Sequence, residues 1–378
     1  MTGKLVRWLL AALAVCGLYL FLWPVPIEPV DWQAPAAPAL EGDYAENRLL
    51  QRMELYPTPD SNGPEDVAVD SEGRVYVGVK QGQIFRYAAD GSSPEVFATT
   101  GGRPLGLDFD NDGNLIVADA DEGLLSVDPS GKVSVLCTEA GGERFGFTDD
   151  VDVDSQNVAW FSDASTRWDH HHVNPEAVLE SGAYGRLIRY DIGSGECAVV
   201  LSGLYFANGV AVSPDETYVL VNETWRYRTK RVYVRGPREG VVETWAENLP
   251  GFPDGISTGA DGVFWLAIFA PRNEIVDKAS PKPWLRKVLY RLPAALSPKP
   301  KRHPLVLGLD ENGKVVRNLQ DADGLDFSHT TSAEQVGDLL YLGSMLAPKW
   351  GRVQLPALDC GPRQLGLPAR PIDRKIAC

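Results

Sequence analysis

From Glu65 onward, apolar and polar residues alternate in short runs, and one unit keeps returning. It consists of a short apolar strand, a turn rich in Asp and Gly, and a second strand of β-branched and aromatic residues. The first copy reads Glu65-Asp-Val-Ala-Val-Asp-Ser-Glu-Gly73 and then Arg-Val-Tyr-Val; the second runs from Leu105 to Gly113 and continues Asn-Leu-Ile-Val. Further copies begin at Asp149, Asn208 and Asp254, and a weaker sixth lies near His329, ahead of Leu339-Leu-Tyr-Leu-Gly343. Outer strands follow the pairs, as in Gly82-Gln-Ile-Phe-Arg-Tyr87 and Lys230-Arg-Val-Tyr-Val234. Repeats of about 40 to 60 residues that each supply about four strands are propeller blades rather than helical solenoids. The pattern therefore predicts an all-β, six-bladed β-propeller over residues 56–358. Two β-sandwiches would leave the even spacing unexplained.

A different pattern occupies the N-terminus. Residues 8–23, from Trp8 to Trp23, form an uncharged apolar run preceded by Lys4 and Arg7 and followed by Pro24 and Pro26. At about 1.5 Å per residue this run reaches roughly 24 Å, short of a hydrocarbon core of about 30 Å, so the flanking Trp side chains must help at the interfaces. Residues 1–30 are read as a cytoplasmic tip and transmembrane signal anchor, since prolines interrupt the small-residue stretch from Ala34 to Ala39 that a cleaved signal peptide would need. Basic residues on the N-terminal side keep that end in the cytoplasm and send the propeller across the membrane. Residues 31–55 read as a linker leading into the first or last blade, and residues 359–378 as a C-terminal tail.

The formal net charge of −15 excludes a nucleic-acid partner, because phosphate recognition needs clustered Lys and Arg. It favours a cation as guest. Of the five cysteines, Cys16 lies in the membrane run; Cys137, Cys197, Cys360 and Cys378 allow three pairings, of which Cys360 with Cys378 would pin the tail. No C-x-x-C spacing points to a zinc-thiolate centre.

Aligning the repeats on their turns brings Glu65, Leu105, Asp149, Asn208 and Asp254 to one equivalent position near the start of the first strand. In a propeller that strand lines the central channel, so equivalent positions form a ring about the axis. Four of the five carry side-chain oxygens. Single Asp and Asn residues at strand starts ordinarily satisfy their own backbone; the same register recurring as Glu, Asp, Asn and Asp is a ligand set for a hard cation. Oxygen-only ligands in a ring of adjustable size favour Ca²⁺ over octahedral Mg²⁺. Four protein ligands would leave positions open to water or a substrate carbonyl, which allows Lewis-acid chemistry on an ester. A metal that merely plugs the channel is the bland alternative.

These residues, together with Gly102-Arg-Pro-Leu-Gly106, Trp160-Phe-Ser-Asp-Ala-Ser-Thr-Arg-Trp168, Gly185-Arg-Leu-Ile-Arg-Tyr190, Gly251-Phe-Pro-Asp254, Asp323-Gly-Leu and Leu340-Tyr-Leu-Gly343, resemble the strictosidine synthase-like family over most of the chain. The resemblance implies a six-bladed propeller related to the paraoxonase and gluconolactonase groups, calcium-dependent hydrolase chemistry and a single N-terminal anchor. Two departures stand out. Similar relatives carry Asn-Asp where this chain has Asp149-Asp150, so the ring here holds three carboxylates and one amide, which should tighten the ion and lower its acidity. The glutamate of true strictosidine synthases falls in the segment Phe327-Ser-His-Thr-Thr-Ser-Ala-Glu334, at Ser328 or a neighbour; Glu334 is several positions away, which disfavours alkaloid condensation for want of its base.

The expected activity is hydrolysis of small esters or lactones by a membrane-anchored, calcium-dependent enzyme. Glu65, Asp149, Asn208 and Asp254 hold the ion, and His329 activates water, with Thr330 the alternative occupant of its place; Asp254 could instead be the nucleophile. A membrane-tethered binding propeller with a structural calcium is the competing expectation. His170-His-His172 reads as a solvated loop, since consecutive residues of a strand cannot all face one ion. Between Arg272 and Arg302, nine Lys or Arg stand against Glu274 and Asp277, with Trp284, Leu285, Val288 and Leu289 interleaved at helical spacing. This segment reads either as a solvated insertion or as an amphipathic lid that touches anionic lipid.

Overall fold

The computed structural model describes residues 2–355 apart from 260, 261, 294 and 325. Six four-stranded antiparallel sheets follow one another around an axis. Blade one contains Val67–Val69, Val75–Gly78, Gln83–Tyr87 and Glu95–Thr99. Blades two to five begin with the inner strands Pro104–Phe109, Thr148–Val153, Ala207–Val212 and Gly251–Thr258. Blade six takes Thr330–Val336, Leu339–Ser344 and Lys349–Gln354 from the end of the described chain, and its outermost strand, Glu54–Pro57, from the start. The propeller thus begins at Glu54, slightly before the expected boundary.

The recurring Asp-rich turn has a local cause. Asp70, Asp110 and Asp154 each use Oδ1 to accept the backbone N–H groups two and four residues on, closing the hairpin between the first two strands of blades one to three, and Asp310 does the same between the third and fourth strands of blade five. The left-handed residue inside each turn is Gly73, Gly113, Asn157 or Gly313.

Packing between blades is apolar, with Val, Ile, Leu and aromatic residues of adjacent sheets interleaved. Along the axis a different problem arises, since each inner strand is a sheet edge whose N–H and C=O groups are buried without a neighbouring strand. Side chains of the adjacent blade satisfy them. Asp66 Oδ2 accepts Leu107 N at 2.9 Å, Asp108 Oδ2 accepts Val153 N at 2.7 Å, and Asp150 and Asp152 accept Val210 N and Val212 N at 2.8 and 2.7 Å. On the other side of the ring, Thr258, Ser257 and Thr331 donate hydroxyls to the carbonyls of Val212, Ala333 and Glu65. The alternating Asp of the strands is therefore a set of stitches between blades.

Cys137 and Cys197 form a disulfide that joins the outer strands of blades two and three. Cys360 and Cys378, the pair expected to pin the tail, lie outside the described residues.

The N-terminal helix is longer than the apolar run implied. It spans Thr2–Leu22, and its 20 residues from Gly3 to Leu22 are long and apolar enough to cross a membrane. At about 1.5 Å per residue they cover about 30 Å, so the span is not marginal once the turns around Lys4 and Arg7 are counted. Residues 24–53 are packed rather than free. Ile27 is fully buried, Val30 N donates to Glu180 O at 3.0 Å, and the Trp32 ring stacks under the Arg226 guanidinium at 4.6 Å.

Two helices, Glu274–Ala279 and Pro283–Tyr290, occupy the insertion between the second and third strands of blade five. Asn273 caps the first through its side chain, and Pro283 opens the second at a position where a missing N–H costs nothing. Through Ala279 and Leu289 they pack against Ile27 and against Leu179 of the one-turn helix Val178–Glu180 of blade three.

Candidate functional site

In each blade the inner strand runs away from the end where it starts and the second strand returns, so strand starts and the loops after second strands share one end of the channel. Glu65, Asp149, Asn208 and Asp254 all sit at that end, each buried. They are close enough to act on one another. The charges of Glu65 and Asp254 push up the Asp149 carboxyl, Glu65 does the same to Asp254, and the Asn208 amide hydrogen-bonds Asp254. Burial is the larger cause, and it raises all three acids above the usual carboxylate range. Asp149 Oδ2 is buried with no hydrogen-bond partner among the described residues. A buried, uncompensated carboxylate oxygen facing two further acids is a donor set suited to a divalent cation, and Glu65, Asp149, Asn208 and Asp254 are the residues that would hold it.

Glycine lets adjacent blades approach closely at this end. A Cβ on Gly209 would lie 2.4 Å from Asp254 O, and one on Gly255 would lie 2.5 Å from Thr331 O. The Asn-Gly and Asp-Gly pairs here are points of backbone approach between blades rather than hairpin turns. The same register fixes blade six. Because Gly255 meets Thr331 as Gly209 meets Asp254, Thr331 holds the ring position, and neither His329 nor Thr330 does. Leu105 occupies that position in blade two but packs with Ala120, Phe147 and Phe206.

Two residues upstream lies a second tier that repeat alignment passed over. It contains Arg103, Phe147, Phe206, Phe252 and His329, all buried, with Gly63 in blade one. Phe147 and Phe206 meet edge to face at 5.6 Å, and Phe206 and Phe252 both lean on Trp225. Arg103 Nη2 pairs with Glu65 Oε2 at 3.0 Å while its Nη1 has no partner among the described residues. His329, in a left-handed conformation (φ 60°), packs against Phe269 at 4.9 Å; its Nδ1 meets Ser328 Oγ at 3.1 Å and its Nε2 has no partner there. Burial lowers its pKa, with the Arg302 charge acting in the same direction, so the imidazole is neutral near pH 7. The signal that could have found this tier is positional: Gly, Arg, Phe, Phe, Phe and His share a register without sharing a chemistry.

Further along the channel a cavity of about 120 Å³ is lined by Asp66, Asp108, Asp150, Asp152 and Glu334. Burial raises every one of these acids, Asp152 to about 7. Glu334 therefore belongs to this inner chamber and not to the tier of His329.

The six-bladed propeller fold recurs in solved structures. A gluconolactonase of Xanthomonas campestris superposes with a TM-score of 0.60 at 17% identity, covering 89% of this chain and 99% of its own. Regucalcin of Agrobacterium tumefaciens, described as a calcium-binding protein, gives 0.54 at 14% identity over 79% of this chain and 91% of its own. These likenesses establish the fold. Sequence comparison goes further: residues 149–237 match the strictosidine synthase family model and residues 42–87 the strictosidine synthase-like N-terminal model. The adipocyte plasma membrane-associated protein of Salmo salar is 34% identical over 92% of this chain and 90% of its own length. Strictosidine synthase-like 10 of Arabidopsis thaliana is 37% identical over 77% of this chain and 85% of its own. The chain belongs to the strictosidine synthase-like family.

Proposed function

We propose that this protein is a membrane-anchored, calcium-dependent hydrolase of small esters or lactones. The observation that carries the reading is the unpartnered Asp149 Oδ2, buried beside Glu65, Asn208 and Asp254. The likeness to a gluconolactonase and to a calcium-binding regucalcin supports it at the level of fold. Calcium held by these four residues would polarise the carbonyl of a bound ester.

The chain's own groups supply the rest. Phe147, Phe206 and Phe252 offer an apolar collar for the acyl or aryl portion of a substrate and exclude water around it. The neutral His329 has a free Nε2 with which to take a proton from water. Arg103 Nη1 is a spare donor beside the ring, suited to a developing oxyanion. Asp254 is held by Asn208 and serves as a ligand rather than a nucleophile. A binding propeller with a structural cation is the second reading, and the Arg103–Glu65 pair favours it, since it neutralises one ligand without any metal.

The anchor sets the surroundings of the channel mouth. Arg291 donates to the carbonyls of Leu20 and Trp23, and Phe21 stacks on Trp284 at 6.3 Å. With the anchor's end at the bilayer surface, Trp284 and the lysines of the blade-five helices lie against anionic headgroups, and these helices form a lid between mouth and membrane. Lys4 and Arg7 ahead of the anchor, and the Cys137–Cys197 bond, support an extracytoplasmic propeller.

The test is hydrolysis of phenyl acetate and small lactones by the full chain in detergent, with and without chelator. Chelator-sensitive turnover that Asp254→Asn abolishes supports the enzyme. A folded protein without turnover, or turnover indifferent to chelator, overturns it.

A further inference from the structure

At the same end of the propeller, outside the channel, the loops after the second strands of blades two and three meet. Asp169 caps a 3-10 turn of His170–His172, accepting His171 N at 2.9 Å. The three imidazoles then part ways. His172 turns back to Asp169, Nδ1 to Oδ1 at 2.7 Å. His170 reaches Asp121, Nε2 to Oδ1 at 3.0 Å, and His171 stacks against His170 with ring centroids 3.8 Å apart. One ligand atom from each of Asp121, His170 and His171 lies within 4.8 Å of the others.

We propose that Asp121, His170 and His171 form a second metal site, distinct from the axial ring, for a divalent ion of borderline softness, with Zn²⁺ the first choice. Two imidazole nitrogens and one carboxylate oxygen suit zinc or copper and not calcium, which takes oxygen alone. Ligand atoms on a tetrahedral zinc stand about 3.3 Å apart, given bonds of about 2.0 to 2.1 Å. The observed spread closes to that by a small rotation of the exposed His171. A strand could not place neighbouring residues so, whereas the turn does it for two of the three.

The other two ligands are held. Asp119 Oδ1 accepts the N–H groups of Arg103, Asp121 and Glu122 at 2.9, 3.0 and 3.1 Å, so one carboxylate fixes the Asp121 loop and the collar arginine together. His170 rests on Phe147, ring centroids 6.2 Å apart, which fixes the imidazole beside Asp121. Three protein ligands leave a coordination position open toward solvent at the rim of the mouth.

The test uses the full chain, carrying no polyhistidine tag, in detergent with millimolar Ca²⁺ to saturate the axial ring. Zn²⁺ titration by calorimetry should give one site, and Co²⁺ in its place should give the visible absorption of a tetrahedral centre. Because even outer-shell changes at metal sites cost about 10- to 100-fold in affinity, Asp121→Asn and His170→Ala should each weaken Zn²⁺ by at least about tenfold. His172→Ala should leave it unchanged, with circular dichroism confirming the fold of each variant. No zinc uptake by the wild type overturns the proposal. Equal losses in His172→Ala and Asp121→Asn, or none in Asp121→Asn, would do so too, since they would mean adventitious imidazole binding.

Discussion

Replacing Arg103 with Met separates the two accounts of Glu65. The guanidinium lies 3.0 Å from the Glu65 carboxylate and both groups are buried. At an effective dielectric of about 20 the attraction at that distance is about 5 kcal/mol, and breaking a buried pair by removing one partner costs about 3–5 kcal/mol. In chelator, Arg103→Met should therefore lower stability by about 3–5 kcal/mol, since Glu65 is left buried and unpaired. In saturating Ca²⁺ the ion replaces the lost countercharge, and the loss should shrink to about 1.5–3 kcal/mol, the worth of a charged hydrogen bond. Equivalently, the stabilisation conferred by Ca²⁺ should be larger in the variant than in the wild type. Thermal unfolding with and without Ca²⁺ reads this as a drop of roughly 10 °C against one of a few degrees, at about 2–4 °C per kcal/mol. Equal drops in both conditions would refute the idea that Glu65 is shared between the arginine and a cation.

Other outcomes follow from the same geometry. The Asp152 carboxyl, raised to about 7 mainly by burial, holds a proton in the folded state that the unfolded chain releases near pH 4. The folded state then binds more protons between those values, so metal-free stability should fall as pH rises from about 4 through about 7; urea melts across that range that rise or stay flat would contradict it. Gly209→Ala should destabilise by more than about 1–3 kcal/mol, because its Cβ meets blade-five backbone and not a side chain that can rotate away, and a calorimetric midpoint within a degree of wild type would count against the close approach. Removing the Cys137–Cys197 bond by a double Ala substitution should cost about 2–5 kcal/mol in non-reducing urea titrations. A chain beginning at Pro24 should co-sediment with anionic vesicles at low salt and lose that binding on Trp284→Ala with Lys282→Glu and Lys287→Glu; indifference to lipid charge would remove the membrane-facing lid.

The blades were legible because the repeats carry local folding instructions: a turn Asp that closes the first hairpin of blades one to three, and an alternation that sets the faces. The positions of Glu65, Asp149, Asn208 and Asp254 were legible for the same reason, since a shared register survives alignment. The collar was not, because Arg103, Phe147 and His329 differ chemically and only backbone approach at Gly209 and Gly255 reveals their common level. His329 was read at the ring position because blade six has a shorter turn, which shifts an alignment made on turns. The stitching role of Asp66, Asp108 and Asp150 was hidden too; it answers unpaired N–H groups of the next blade, which one strand's sequence does not display. Disulfide partners depend on which outer strands abut, so Cys137 and Cys197, in different blades, carry no local sign of each other.

Blade six owes its outermost strand to the segment that leaves the anchor, with Glu54 facing Arg352 across 298 residues. Synthesis at about 5–20 residues per second means that this segment waits roughly 15–60 s for its partner strands to emerge. Until then the nascent chain is an open arc with a bare strand at each end. Closure of the circle therefore waits on Lys349–Gln354, the last propeller strand to be made, and in the anchored arrangement proposed above the same tether would keep the waiting strand within reach of its mate.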